Sequence, residues 1–371
     1  MNKEKNVRVV ASTRLHRIRS EYEEFLSAPP SSLQNLFEPG NFSFRDFCRD
    51  FNPHPESKVL KSMIEDYGRE KSIWLPNAKD HITCALYLYP AADFHRMFTM
   101  MKNLTLGFYL NDVMGRDLFK FLNPADQAAS SAIIRNMAAL DETLSVPAGA
   151  HSLEETNVEI LGEFKSHSPE DWFSNFLRVY CYHIGITHAD GDTASQGHIP
   201  GIHEYMERRC HLGGVHHILL WIEYSGGQFL DWALLRELDV SAELRRLHWI
   251  SAAFAGLSND HFSFEKEVID SDSDSNLLMI IALNHPELSL KGIIDKSSEI
   301  VRNLLLEMLT TLRSIRQKLS DLGDLHKSTV SSVEWHLASI ERCMQATWLW
   351  QAYSGRYKRP KSIWQETTLQ D

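Results

Sequence analysis

The sequence predicts an all-α fold in a single domain, a bundle of long helices around a deep apolar cavity. Apolar residues recur at helical spacing in almost every segment after residue 57, and strand-type alternation is nearly absent. No repeat, low-complexity block or linker divides the chain. With 371 residues, 43% of them hydrophobic, it can bury a sizeable core, and long helices of this kind commonly build sites from residues facing the bundle interior.

The elements follow in order. Residues 1–50, with Pro29-Pro30-Ser31-Ser32 and Pro39-Gly40, read as an N-terminal arm and turns. The helical domain spans 51–357, and 358–371 form a C-terminal tail. From Ser57, Val59, Leu60, Met63 and Ile64 have helix spacing, and Gly68 is placed to end the run. A second run covers Ala78 to Tyr89 and stops at Pro90. Phe94, Met97, Met101, Leu104, Phe108 and Leu110 mark a long apolar helix that leads into Asn111-Asp112 and on to Asp117. Asn123-Pro124 supplies a side-chain cap with proline at the first helical position, opening a helix to about Leu144. Ser168-Pro169-Glu170-Asp171 is a start signal for a helix to Gly185: a capping serine, a first-turn proline and two acids at the positive end of the dipole. Ile199-Pro200 opens a helix carrying Tyr205, Arg208 and Arg209, which Gly213-Gly214 interrupts. Helical pattern resumes over Val215–Tyr224, Ala242–Ile269, Leu277–Leu319 with a bend at Pro286, and Lys327–Ser354.

Charge and cysteine usage narrow the function. A formal net charge of −11 argues against a general binder of nucleic acid or anionic membrane, so an anionic substrate would need local cations to hold it. The 5 cysteines are widely spread and form no C-x-x-C pair, which reads as reduced thiols in a cytoplasmic protein. Val7–Ala11 is too short for the apolar core of a signal peptide, and Leu277–Leu283 is too short to span a bilayer. Nothing is expected to insert in a membrane.

Four groups of residues can carry chemistry. Asn259, Ser263 and Glu267 stand at i, i+4 and i+8, so a carboxamide, a hydroxyl and a carboxylate share one helix face, with Lys266 beside them. Hard oxygen ligands of this kind suit Mg²⁺, which keeps waters that a phosphate can replace. Asp112 and Asp117 put two carboxylates at the end of an apolar helix. Arg208 and Arg209 precede the Gly213-Gly214 break, where guanidinium forks and free backbone groups can bind diphosphate. Arg356-Tyr357 offers a guanidinium and a phenol near the C-terminus. Taken singly, each is as well read as a solvated polar face, a polar helix end or a basic tail. Two other signals fail on their own terms. Asp270-x-Asp272-x-Asp274 begins like a calcium loop but has Ser275 at the sixth position and Ile281 at the twelfth, and His211, His216 and His217 lack an H-E-x-x-H arrangement for zinc.

Together and in this order, the groups resemble the class I terpene synthases. Asn259, Ser263 and Glu267 look like that family's metal-binding Asn/Ser/Glu triad, in the N-D-x-x-S-x-x-K-E form of the microbial branch. Asp112 looks like the first aspartate of the aspartate-rich motif, with Val113 where the second would stand and Asp117 at the distal acidic position. Arg209, favoured over Arg208 by its spacing to Gly213, resembles the diphosphate-sensing arginine, with Leu212 and Gly213 as linker and effector residues. Arg356-Tyr357 resembles the C-terminal RY pair, so the resemblance covers about Phe94 to Tyr357.

What the resemblance implies is a class I terpenoid synthase-like bundle. Its three Mg²⁺ would be held by Asp112, Asp117, Asn259, Ser263 and Glu267, and the diphosphate of farnesyl or geranylgeranyl diphosphate by Arg209, Lys266, Arg356 and Tyr357. Ionisation would give an allylic carbocation, steadied by aromatic faces such as Tyr109 and Trp350 and ended by deprotonation or water capture, with diphosphate available as base. A homodimer is common in such a family. An isoprenyl chain-elongating transferase would normally carry a second aspartate-rich motif in place of the Asn/Ser/Glu row. A non-catalytic prenyl-lipid or helix-binding protein would leave the metal and diphosphate residues unexplained, and no D-x-D-D supports a protonation-started cyclase.

Overall fold

The computed structural model describes residues 2–115, 121–187, 192–322 and 324–369. Its helices of eight residues or more are α1 Asn2–Leu26, α2 Ser57–Glu70, α3 Ala78–Leu88, α4 Phe94–Met114, α5 Pro124–Ala138, α6 Ser152–Ser166 and α7 Glu170–Thr187. They continue with α8 Ile202–Leu212, α9 Val215–Gly226, α10 Ser241–Phe264, α11 Leu277–Asn284, α12 Leu290–Ser320 and α13 Lys327–Tyr353. Among the described residues there is no strand, only isolated bridges, so the predicted all-α class stands.

The centre of the bundle is α10, which packs against α8, α9, α12 and α13. That placement follows from its sequence. Leu244, Leu247, Ile250, Phe254, Leu257 and Phe264 are fully enclosed, and so are the small or polar Ala252, Ala253, Ser258, Asp260 and His261 between them. From Ile250 to Phe264 the helix is enclosed almost throughout and has no solvated face on which to shed its polar groups, so each needs a partner inside. By contrast α12 has one apolar stripe. Leu290, Ile293, Val301, Leu305, Met308, Leu312 and Ile315 fall at helical spacing and cover α10, leaving a charged outer face.

Several starts and stops match the local chemistry. Asn123 caps α5 by accepting from the Asp126 N–H, and Pro124 stands at the first position. Asp93 caps α4 through the His95 and Arg96 N–H groups. Ser168 behaves differently from its expected capping role: its hydroxyl donates back to the Phe164 carbonyl, tying α7 to the end of α6. α5 ends at Ala138, before the expected Leu144. α6 has no counterpart among the predicted elements, although its capping box, His151 with Glu154, is local. Pro286 does more than bend a helix, since α11 and α12 are separate elements.

The first fifty residues differ most from expectation. α1 is a 25-residue helix, and Ala11, Ile18 and Tyr22 are buried along one face, with Leu15 packed on the same core. Its arginines explain why it docks. Arg14 donates to the carbonyls of Ala282, His285 and Leu288, and Arg17 to that of Pro286. The Pro286 break strips the end of α11 of helical partners, and cations there also oppose its dipole. The tail is tied down as well: Ile363 and Trp364 are buried, and Ser31 exchanges backbone hydrogen bonds with Ile363 and Gln365.

Candidate active site

A cavity of ≈ 250 Å³ opens between α4, α7, α8, α9, α10 and α13. That is far beyond the ~10–15 Å³ a single water requires, so it is a ligand-sized space rather than a packing defect. Leu88, Leu104, Phe108, Ile184, Leu219, Met344 and Trp350 give it apolar walls, and Asn259, Ser263, Lys266 and Glu267 all line it.

The oxygen row lies where central α10 passes into a π-helical turn, Glu265–Asp270. Such single turns recur at functional sites because they re-aim the side chains they carry. The Ser263 hydroxyl is buried and, among the described residues, has no hydrogen-bond partner. A buried hydroxyl left unpaired is costly, and its position between Asn259 and Glu267 fits a metal ligand. Asn259 is held on both sides, its Oδ1 accepting from Arg209 Nη2 at 2.9 Å and its Nδ2 donating to the Tyr357 hydroxyl at 2.7 Å. Glu267 accepts from Asn276 Nδ2 at 3.1 Å. Carboxamide, hydroxyl and carboxylate oxygens are the donor set for a hard divalent cation.

Arg209 owes its position to Asp260, which the sequence reading did not single out. Asp260 is fully buried, and its carboxylate accepts from Arg209 Nε at 2.7 Å, the Tyr205 hydroxyl at 2.7 Å and the Leu277 N–H at 2.8 Å. Burial works to lower the guanidinium's proton affinity, but Asp260 foremost outweighs it and holds Arg209 above its ordinary value. One edge of the guanidinium is thereby fixed and the arginine lines the cavity. Arg208, the alternative, turns outward to Gln196. Gly213 lines the cavity at the break between α8 and α9, and Gly214 takes φ 70°, which lets the chain start a new helix without a spacer.

On the facing wall, α4 presents Asn103, Leu104, Gly107, Phe108 and Asn111. Asp112 accepts from Asn111 Nδ2 at 2.8 Å and lies 3.5 Å from Arg356 Nη2. Burial again opposes, and Tyr357, Asp112 and Glu267 together raise, the Arg356 guanidinium above its ordinary value. Arg356 also lies 6.0 Å from the Phe108 ring centre, and Tyr357 meets Trp350 edge to face at 5.9 Å. Thus α4, α10 and the C-terminal turn converge on one mouth. Tyr109 does not line the cavity. Phe108 does, since residues 104, 107, 108 and 111 share the inward helix face and 109 falls outside it. Asp117 lies outside the described residues. Among the described residues no group of three or more His, Cys, Asp or Glu side chains is gathered in metal-binding geometry.

With this geometry in hand, comparison with known proteins identifies the family. A family model described as terpene synthase family 2, C-terminal metal binding, matches residues 102–307, more than half of the chain. The sesquiterpene cyclase hepA of Aspergillus oryzae is 21% identical over 316 residues, spanning 82% of this chain and 80% of that protein. Two solved structures share the fold. An α-eudesmol synthase has a TM-score of 0.65 at 18% identity, over 82% of this chain and 97% of its own. A linalool/nerolidol synthase from Streptomyces clavuligerus has a TM-score of 0.64 at 12% identity, over 81% and 98%. Among the described residues no helix is long and apolar enough to cross a membrane. The matched segment runs from inside α4 to inside α12 and takes in both walls of the cavity mouth; the chain belongs to the terpene synthase family, as a class I terpene cyclase.

Proposed function

We propose that the protein is a Mg²⁺-dependent lyase that ionises farnesyl diphosphate, in preference to geranylgeranyl diphosphate, and closes the resulting carbocation into a cyclic terpene. The observation that carries this reading is the partnerless buried hydroxyl of Ser263, aligned with Asn259 and Glu267 on the wall of an apolar cavity. Asn259, Ser263 and Glu267 would hold metal from one side and Asp112 from the other, three ions being the number the family resemblance implies. Bound there, Mg²⁺ supplies the Lewis-acid charge that stabilises a departing diphosphate.

The chain's own residues do the rest. Arg209, Lys266, Arg356 and the Tyr357 hydroxyl grip the diphosphate through charge-assisted hydrogen bonds, and Arg209 is already oriented by Asp260. Gly213 brings helix-end backbone to the cavity beside Arg209. Phe108 and Trp350, whose ring centres are 6.4 Å apart, present aromatic faces to the cation, each worth roughly 0.5–2 kcal/mol. Phe108 thereby takes the part expected of Tyr109. The apolar walls keep water from quenching the cation before the ring closes. A C15 substrate is favoured over a C20 one by the sesquiterpene cyclase relative. Five unpaired cysteines support a cytoplasmic setting, where the assembly is proposed to be a homodimer, measurable by light scattering.

The test is incubation with each prenyl diphosphate, with and without Mg²⁺, followed by diphosphate assay and gas chromatography. The expected result is metal-dependent release of diphosphate and a cyclic C15 hydrocarbon or alcohol. No turnover of any linear prenyl diphosphate, or a longer prenyl diphosphate when isopentenyl diphosphate is added, overturns the reading.

A further inference from the structure

One wall of the cavity carries a base that neither the metal nor the diphosphate needs. On α7, Tyr180, His183, Ile184 and Thr187 line the cavity at i, i+3, i+4 and i+7. Nδ1 of His183 lies 2.8 Å from the His211 carbonyl oxygen at the end of α8 and 2.9 Å from the Thr187 hydroxyl. A carbonyl oxygen can only accept, so Nδ1 carries the hydrogen and Nε2 the lone pair. Nε2 makes no hydrogen bond among the described residues. Access to that nitrogen depends on the helix break, because a Cβ at Gly214 would stand 3.3 Å from it. His217 packs against the same ring with centroids 4.8 Å apart, but its Nδ1 is sealed from the cavity and its ring is wedged against Phe176, Tyr180 and Trp221. Both imidazoles line the cavity, and His183 is the one whose tautomer a hydrogen bond fixes, with Nε2 left as the lone-pair nitrogen.

Resting on the proposed carbocation chemistry, we propose that His183 is the catalytic base that ends the reaction, its Nε2 taking a proton from the carbon next to the cationic centre. The C–H electron pair becomes the new C=C bond, an N–H bond forms, and the product leaves as an olefin. The imidazolium then gives its proton to the diphosphate released in the same turnover, which restores the neutral ring. Burial keeps the imidazole neutral beforehand by pushing its pKa down to about 4. So weak a base is sufficient, because a carbocation is a far stronger acid than any imidazolium. The bond to His211 would by itself make His183 a helix cap, but a cap uses only Nδ1.

The experiment compares parent, H183F and H183A with farnesyl diphosphate and Mg²⁺, measuring diphosphate release and product profile separately. Both variants should release diphosphate within about threefold of parent, while the parent's main olefin falls roughly 10²-fold, the scale of a lost general base, and other olefins or alcohols replace it. Added imidazole should restore that olefin in H183A, where the missing ring leaves space, and leave H183F unchanged. An unaltered profile in H183F, loss in H183A without imidazole rescue, or an alcohol as the parent's main product overturns the assignment of His183 while leaving the cyclase reading intact. Absence of diphosphate release from the parent overturns both. Should H183F not fold, the imidazole response of H183A decides alone.

Discussion

Ser263 and Asp260 stand three residues apart on α10 and do opposite work. Ser263 keeps a hydroxyl unpaired inside the protein, which only a ligand would repay. Asp260 has every neighbour it needs and serves Arg209. Their substitutions should therefore differ in what they cost the fold. S263A, N259A and E267Q are expected to cut turnover by at least about 10²-fold, in line with losses at metal sites, with helical circular dichroism unchanged. Retained activity would remove these residues from the metal site. D260A leaves the buried Arg209 charge uncompensated and should cost about 3–5 kcal/mol in urea denaturation, whether or not substrate is present. A stability equal to that of the parent would mean that Arg209 finds another partner.

At the scale of elements, the π turn that carries Lys266 and Glu267 is gripped from outside by both ends of the chain. Glu265, buried at its start, accepts from the Tyr22 hydroxyl of α1 at 2.7 Å, from the Ser362 hydroxyl at 2.5 Å and from the Ile363 N–H at 3.1 Å. Arg19 reaches the Ile269 carbonyl and Asp272, and Arg359 reaches Asp270. The arm and tail of the sequence reading thus hold the turn on which the last oxygen ligand sits. Y22F removes one hydrogen bond to a buried carboxylate and should cost about 1.5–3 kcal/mol, read from the urea midpoint. Because Glu267 lies two residues on, the same variant should raise the Mg²⁺ concentration needed to stabilise the protein thermally in the presence of inorganic diphosphate. An unchanged Mg²⁺ dependence would mean that the turn keeps its shape without the clamp.

For the whole molecule, the buried histidines decide the response to acid. Burial pushes His183, His216, His248 and His261 down to about 4, and His217 and His336 well below their ordinary value. Above pH ~6.5 folded and unfolded chains both carry neutral imidazoles. As pH falls from ~6.5 towards 4 the unfolded chain binds protons that the folded one refuses, so stability is lost across that window. Glu223 opposes this. Burial pushes its carboxyl up to about 7, so between the ordinary carboxylate range and 7 the folded form gains as the pH falls. One carboxyl against these imidazoles leaves acid sensitivity as the net result. The urea midpoint is expected to drop steadily from pH 7 to pH 5, and a flat profile would show that the imidazoles are protonated in the folded state.

By itself the sequence determined the all-α class, the oxygen row and the break between α8 and α9, because these are written in local spacing. Helix periodicity, an i, i+4, i+8 series and a Gly-Gly pair each lie within a dozen residues. The apolar stripe of α1 through Ala11, Leu15, Ile18 and Tyr22 is equally local, but the partner it docks on is not, since Arg14 donates to Ala282, 268 residues along the chain. Other features depend on which elements meet. The choice of Phe108 over Tyr109 turns on how α4 is rotated, the role of Asp260 on α8 crossing α10, and the open nitrogen of His183 on a glycine 31 residues away. A helix pattern states which residues share a face. Only packing in three dimensions decides what that face looks upon, since burial and hydrogen-bond satisfaction are settled between elements and not along them.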